Sequence, residues 1–453
     1  MDAPPHHGFD AEPVRLVSPG GPMASRVVIV GAGFAGQHAY HELAEAGYEV
    51  TLVDRHPYTT FQPLLYQVAT GGLNPGDIAF PLRRFVSRSK GRTKFRRATV
   101  TGIDTENKRV LTNRGEPIPY DTLVLAQGAG PNFFGIPGAK ENARTIYSRA
   151  EALAVRDLLF SGLEQMTTQP DRERRFTVLV VGGGATGVEM AGTLAEMKSE
   201  AIPVVYPELS QDSFRVVLAE MADTLVAPFD PRLQRYTLHQ LRKRGVDIRL
   251  GTAVKEVRPD SVDFADGSTM DVDLVIWASG FGAHPEVSEW GMPQGRGGRI
   301  EVEPNLQVKG HPDIYAIGDA AIEPGSPLPQ LAQPAMQMGS HVGREIVAAD
   351  KGLPPTPFGY DDKGTMATIG RNAAVAQFPS GRTVTGFPAW ALWVGVHLAT
   401  LLGGRNRLQA MVNTAFRYFA WPQSATNILG DTVVEDVQLD QSAGRPELPQ
   451  QSE

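Results

Sequence analysis

The sequence predicts an α/β fold of two Rossmann-like dinucleotide-binding domains, the second inserted in the first, plus a C-terminal membrane-associating helical region. Three observations predict it. An apolar strand runs into a GxGxxG loop and then a helix twice, at Gly31 and at Gly182. A late apolar strand delivers a Gly-Asp pair, Gly318-Asp319, and beyond residue 362 the chain becomes apolar and almost free of acids.

With 453 residues the chain exceeds one ordinary core, and about three domains are expected. Apolar residues at 42%, charged residues at 21%, 48 glycines and 35 prolines suit a globular α/β protein rich in tight turns. A net charge of −7 gives no general attraction to phosphate backbones, so nucleic acid is not an expected partner. There is no cysteine, which removes disulfides, thiolate metal sites and any electron path through a dithiol. Residues 1–25 read as a Pro/His/Gly-rich tail of little order without a secretion signal, which places the protein on the cytoplasmic side. No run of 18 apolar residues occurs, which argues against a spanning helix and leaves surface attachment open.

The first cradle starts with the strand Arg26 to Val30, feeds Gly31-Ala32-Gly33-Phe34-Ala35-Gly36, and continues as a helix. The strand Glu49 to Val53 then ends in Asp54, 23 residues after Gly31, near the roughly 20-residue spacing of a carboxylate that accepts ribose hydroxyls. Gly31 makes the turn, Gly33 lets backbone approach a pyrophosphate, Gly36 lets helix meet strand, and the helix N-terminus faces the negative charge.

The second cradle repeats this order: strand Thr177 to Val181, loop Gly182-Gly183-Gly184-Ala185-Thr186-Gly187, helix Val188 to Met197. Its acid is expected at Glu220, after the strand Arg215 to Ala219, although 38 residues separate it from Gly182 and Ile202 to Ser213 reads as an insertion. A carboxylate there would repel a 2′-phosphate, so NADH is expected over NADPH. Tyr120 to Gln127 before Gly128 reads as the closing strand of the first fold, and Val272 to Ala278 before Ser279-Gly280 as that of the second. Asp313 to Ile317 returns to deliver Gly318-Asp319, a loop suited to holding one carboxylate near a flavin's ribityl-phosphate region.

Over Arg26 to Ile346 these residues resemble the two-dinucleotide-binding-domain flavoprotein reductases. The stretches Phe61-Gln62-Pro63-Leu64-Leu65-Tyr66-Gln67-Val68-Ala69-Thr70-Gly71, Ala332-Gln333-Pro334-Ala335-Met336-Gln337 and Asp362-Lys363-Gly364-Thr365-Met366-Ala367-Thr368 narrow the resemblance to type II NADH dehydrogenases. The resemblance implies FAD held by Gly31, Gly33, Phe34, Gly36, Asp54, Arg55, Gln62, Val100, Ala126, Gly128, Gly318 and Asp319. It implies NADH held by Gly182, Gly184, Thr186, Gly187, Glu189, Glu220, Ser279 and Gly280. The segment Gln333, Pro334, Ala335, Gln337 fits that family's AQxAxQ quinone-site motif, with Pro334 at its variable position; Gln127 departs from a position where a small or hydroxylated residue is common.

FAD accepts a hydride from NADH, and the open question is the second acceptor. Disulfide reductases and sulfide:quinone reductases need cysteines, so quinone, an external redox protein or oxygen remain. Gln333 and Gln337 are four apart and would project from one helical face. Alone they read as caps of backbone groups or partners of flavin carbonyls; with the resemblance they become quinone contacts. Glu189 carries two readings: an acid comfortable in the first turn of a helix and, as the resemblance implies, a buried carboxyl that approaches nicotinamide and flavin and relays a proton toward reduced quinone. Phe61, Gln62 and Pro63 line a flavin or quinone cavity or simply pack. The ten histidines show no metal-ligand spacing, no metal is expected, and His397 reads as a satisfied or interfacial histidine.

Phe387 to Leu402 is apolar but only 16 residues long, and after Gly403-Gly404 the residues Leu408, Met411, Val412, Ala415, Phe416 and Phe419 recur at helical spacing. Between Gly364 and Gly430 there is no Asp or Glu, while Arg371, Arg382, Arg405, Arg407 and Arg417 are present. Such a basic apolar foot suits an anionic bilayer, with Trp390, Trp393 and Trp421 at the headgroup boundary. The same pattern would bury equally well in a homodimer interface or against the nucleotide folds, and membrane and dimer contacts can coexist.

The expected organisation is tail 1–25, FAD domain 26–145, NAD(H) domain 146–283, FAD return segment 284–361 with the quinone motif, membrane and dimer region 362–437, and tail 438–453. The expected protein is a non-proton-pumping NADH:quinone oxidoreductase of a respiratory chain, peripheral on the cytoplasmic face of the cell membrane. A soluble NAD(P)H-dependent flavoprotein reductase serving a ferredoxin-like acceptor is the alternative.

Overall fold

In a computed structural model, residues 25–89, 91–168 and 175–413 are described. The tails 1–24 and 438–453, and Ala415, Phe416, Arg417, Phe419 and Trp421 of the expected foot, lie outside the described residues.

The continuous apolar runs form strands buried on both faces, as a parallel sheet between helices requires. Arg26–Val30 lies between Glu49–Asp54 and Thr122–Leu125, parallel to both, with Val30 facing Val53 and Leu125. Thr93–Arg97 extends one side, and the returning strand His311–Ala316 extends the other, which closes the first fold late in the chain. The second sheet, also parallel, runs Ala143–Arg144, Leu274–Trp277, Phe176–Val181, Phe214–Ala219, Asp247–Arg249. Both glycine loops therefore leave the carboxyl end of a central strand, where open α/β sheets bind ligands.

The helix after the second loop ends at Glu196, continues through a π-helical turn Met197–Ala201 and resumes at Ile202–Val205. The expected insertion thus begins as an extension of that helix. One of its two prolines, Pro203, stands in the first turn of Ile202–Val205, directly after the π-helical turn. The closing strands are also shorter than expected, Thr122–Leu125 and Leu274–Trp277.

Small residues set the closest helix contacts. A Cβ on Gly339 would lie 2.2 Å from the Ala35 carbonyl oxygen, so helix Ala332–Asp350 rests directly on helix Phe34–Glu45. The ion pair Arg344–Glu42, at 2.9 Å, closes the outer edge of that contact. This packing carries the Gln333 end of the later helix to the first glycine loop.

Beyond residue 364, strands Thr365–Gly370, Ala373–Gln377 and Thr383–Thr385 form an antiparallel sheet. Helix Gly386–Thr400 packs on its middle strand, burying Ala389 and Trp393 and exposing Phe387 and Val396. Residues 404–413 are helical, with Leu408, Met411 and Val412 exposed. Among the described residues no helix is long and apolar enough to cross a membrane.

Candidate functional site

The two cradles share one geometry. Gly31 has φ +97°, and a Cβ there would stand 2.3 Å from the Ala126 carbonyl oxygen; Gly182 has φ +110°, and its Cβ would meet the Ser279 hydroxyl at 2.5 Å. A Cβ on Gly36 would lie 1.9 Å from the Gly31 carbonyl oxygen, and one on Gly187 would lie 1.8 Å from that of Gly182. Helix and loop can meet only without side chains there. By contrast, a Cβ on Gly33 or Gly184 would meet nothing within 4 Å, so no protein neighbour demands glycine at either position. The open backbone at both leaves the room that a pyrophosphate would need.

The acids repeat the same pattern. Asp54 accepts the amides of Ala32 and His56, each at 2.8 Å, and Glu220 accepts those of Gly183 and Ala222, the latter at 2.7 Å. Each carboxylate thus ties the residue after the first loop glycine to the residue two beyond itself. The longer crossover to Glu220 moves the insertion, not the acid. Burial pushes the Asp54 carboxyl up, opposed by its two amide donors.

Around the first cradle, Phe34 meets Phe61 edge to face at 5.7 Å, and Gln62 donates to the Tyr147 carbonyl at 3.4 Å. Arg55 follows Asp54, its carbonyl accepting from Arg97 at 3.4 Å, and Val100 and Ala126 are buried. Gly128, with φ +74°, opens onto free space. Gly318 packs between Ala35 and Ala335, and Pro334 is buried in the first turn of its helix. Asp319 is pushed up to about 6 by burial, with Arg299 pulling it back. Both amide atoms of Gln127 and Nε of Arg299 are buried without a hydrogen-bond partner among the described residues. Folded proteins seldom leave such groups orphaned, so polar ligand atoms fit between them. Around the second cradle, Thr186 is half-buried at the helix start, and Gly280, φ +74°, sits beneath the Phe134 ring.

Glu189 is not in the first turn: the helix begins at Ala185 and has no acid there. The expected helix-start explanation therefore fails. The side chain is buried, and Oε1 accepts the Thr368 amide at 3.3 Å. Burial raises its pKa to about 8, opposed by the Thr368 amide and the nearby Trp393 indole.

A cleft partly open to solvent reaches Thr368, the partner of Glu189, and lies between the 61–73 segment, the C-terminal sheet and helix Gly386–Thr400. Gln67, Glu196, Arg371, Trp390, Trp393 and His397 give it polar atoms, while leucines and Val394 supply apolar wall. Nδ1 of His397 lies 2.7 Å from the Trp393 carbonyl, which can only accept, so Nδ1 carries the hydrogen. Burial lowers this histidine to about 4, and it is neutral at physiological pH.

Three sequence expectations need correction. Trp393 is 3% exposed and stacked on His397 at 4.0 Å, so it does not sit at a headgroup boundary. Arg371 pairs with Glu200 at 3.2 Å, so its charge is matched within the protein and is not a free basic group of the foot. The Gln337 amide donates to the Asp361 carbonyl at 2.9 Å and accepts its amide at 3.0 Å, the backbone-capping arrangement, whereas Gln333 is half-buried at the helix start. Thr368 and Glu196 were not singled out in the sequence. Their one signal is their position, Thr368 as the last residue of the Asp362 to Thr368 stretch and Glu196 two turns beyond Glu189.

Residues 25–339 match the pyridine nucleotide-disulphide oxidoreductase family, and residues 363–420 match the NDH2 C-terminal domain. The chain is 33% identical over 439 residues to the type II NADH:quinone oxidoreductase Ndh of Mycobacterium tuberculosis, covering 93% of this chain and 94% of that protein. It is 35% identical over 420 residues to NdhA of the same organism, covering 87% and 86%. In fold it is similar to NDH2 from Plasmodium falciparum in complex with NADH, with a TM-score of 0.81 at 19% identity over 88% of this chain and 99% of that one. The chain belongs to the pyridine nucleotide-disulphide oxidoreductases and, within them, to the type II NADH:quinone oxidoreductases.

Proposed function

We propose that this protein is an FAD-dependent, non-proton-pumping NADH dehydrogenase that reduces a membrane quinone. The observation that carries the reading is the duplicated cradle with a buried carboxyl, Glu189, on the helix that leads from the second cradle toward a cleft of mixed polar and apolar lining. FAD, when bound, takes a hydride from NADH and passes the electrons to a quinone.

In this reading Gly31, Gly33 and Gly36 hold the FAD pyrophosphate at a helix N-terminus and Asp54 holds the ribose. Phe34, Arg55, Gln62, Val100, Ala126, Gly128, Gly318, Asp319 and Ala335 wall the same cradle, and the orphaned Gln127 amide finds its partners on FAD. Gly182, Gly184, Thr186, Gly187, Ser279 and Gly280 hold NADH, and Glu220 repels a 2′-phosphate. Glu189 keeps a proton at neutral pH and delivers it to a quinone oxygen; its raised pKa suits a donor that must be both loaded and willing. Gln333 donates its amide to a quinone carbonyl, and Gln337 fixes the 361 loop behind it. Pro334 stiffens the turn between them.

The exposed Phe387, Val396, Leu408, Met411 and Val412, with Arg405 and Arg407, supply a foot for an anionic lipid surface on the cytoplasmic face of the cell membrane. The same apolar surface supplies a contact for a second copy in a homodimer. The lack of cysteine sends electrons from flavin to acceptor without a sulfur relay.

The test is reduction of a lipophilic quinone in liposomes by the purified holoprotein with NADH. Steady turnover supports the reading. Rapid reduction of a ferredoxin or dye without quinone turnover would favour the soluble reductase instead.

A further inference from the structure

Three parallel strands of the first sheet end at one level. Leu125 lies in register with Val30 on one side and with Ala316 on the other, so the strand Thr122–Leu125 runs out between the Gly31 loop and the Gly318-Asp319 loop. Two backbone bonds fix that exit: the Ala126 amide donates to the Val30 carbonyl at 2.7 Å, and the Ile317 amide to the Leu125 carbonyl at 2.9 Å. Gln127 is the next residue. A Cβ on Gly31 would lie 2.8 Å from its Cα, so this residue and the glycine loop touch backbone to backbone.

The side chain does not suit an apolar wall. Nε2 and Oε1 are both buried without a hydrogen-bond partner among the described residues, and Gln127 is the one described side chain with both of its polar atoms in that state. Such a group weakens a fold, whereas an apolar side chain of similar shape in its place is neutral or stabilising. Packing alone would therefore favour methionine here.

We propose that Gln127 makes this fold dependent on its cofactor: its amide destabilises the flavin-free chain and slows FAD release from the loaded one. The inference rests on the reading of the first cradle as the FAD site.

The amide presents one donor group and one acceptor. Phosphate oxygens at the glycine loop only accept and would leave Oε1 unmatched. A hydroxyl both donates and accepts, and FAD carries hydroxyls on its ribityl chain, on the side of the pyrophosphate where Asp319 is expected. An exposed amide would surrender water to make these bonds. This one has already lost it, so its bonds to the cofactor count almost in full. The same desolvation that strengthens binding weakens the fold without flavin, and the two effects have opposite signs in a variant that lacks the amide.

The experiment compares full-length holoprotein with Gln127→Met, which keeps the side chain's length and removes both polar atoms. Flavin release after dilution, followed by free-flavin fluorescence, should be about tenfold faster in the variant, equivalent to about 1.4 kcal/mol of binding. Once FAD is stripped, the thermal midpoint should move the other way, higher in the variant by about 2 °C or more. A variant that melts cooperatively without flavin where the wild type does not supports the proposal equally, and where neither does, the release rates decide. Release at the wild-type rate overturns the proposal. So does a stripped variant that melts at or below the wild-type midpoint, the result expected if Gln127 serves only packing, and so does a variant that fails to fold. The underlying reading fails separately: wild-type protein that contains no FAD and takes none up ends the assignment of the first cradle, whatever the two midpoints are.

Discussion

A Cβ on Gly192 would stand 2.2 Å from the carbonyl oxygen of Ile369, so the helix of the second cradle and the first strand of the C-terminal sheet touch backbone to backbone. That contact brings Thr368, the neighbour of Ile369, within reach of Glu189 one turn earlier on the helix. Replacing Gly192 with Ala must push the sheet away. Overpacking of this kind costs about 1–3 kcal/mol, and the expected loss is read from the urea midpoint. Quinone reduction should fall more than NADH binding, because the displaced sheet carries the Thr368 amide and the cavity wall.

Stability should carry the signature of Glu189. Its carboxyl titrates near 8 in the fold against an ordinary value of 4.5, so between these values the native state holds a proton that the unfolded chain has released. Stability from this group therefore falls as pH rises through that window and levels off above it, by up to about 1.4 kcal/mol per pH unit. Glu189→Gln should lose this dependence. Urea unfolding of both proteins at pH 5 and pH 8 checks it, and parallel losses would exclude a buried neutral acid.

His397 runs the other way. Its folded pKa of about 4 lies below the ordinary 6.5, so the stability it contributes is full above 6.5 and disappears as pH falls toward 4. His397→Gln should resist acid better than wild type between those values, measured as the thermal midpoint at pH 4.5 against pH 7.

Glu220 should govern the choice of nucleotide. Its carboxylate is held by the Gly183 and Ala222 amides at the end of its strand. Glu220→Gln should lower kcat/KM for NADH about tenfold and raise the NADPH-to-NADH ratio, since a charge-assisted hydrogen bond of about 1.5 kcal/mol is weakened and a repulsion is removed. An unchanged ratio would move the ribose site elsewhere.

The nucleotide folds were legible because their signals are local. Strand, glycine loop and acid lie within one crossover, and even the 38-residue gap to Glu220 hid an element that ends where the first fold's does. The surroundings of Glu189 were not legible, because Thr368 lies 179 positions away and Trp393 farther still. Nothing periodic links them. An apolar helix with tryptophans looks alike whether a given ring meets lipid or protein, and for Trp393 the sheet beneath the helix decided it. The partner of Gln337 was hidden for a similar reason, Asp361 being 24 residues on in an irregular segment.

The foot should be separable from the chemistry. Val396→Glu places a charge on the exposed face of helix Gly386–Thr400. Co-sedimentation with anionic liposomes should fall several-fold at low salt, while the flavin content of the soluble fraction stays the same. Equal binding by both proteins would remove this helix from the membrane contact.

The most direct test of the central claim is an anaerobic spectrum of the purified protein. The account predicts a yellow protein with one FAD per chain, bleached by NADH and recoloured by a lipophilic quinone. A colourless protein that gains no flavin from added FAD, or a yellow one that NADH leaves unchanged, would contradict it.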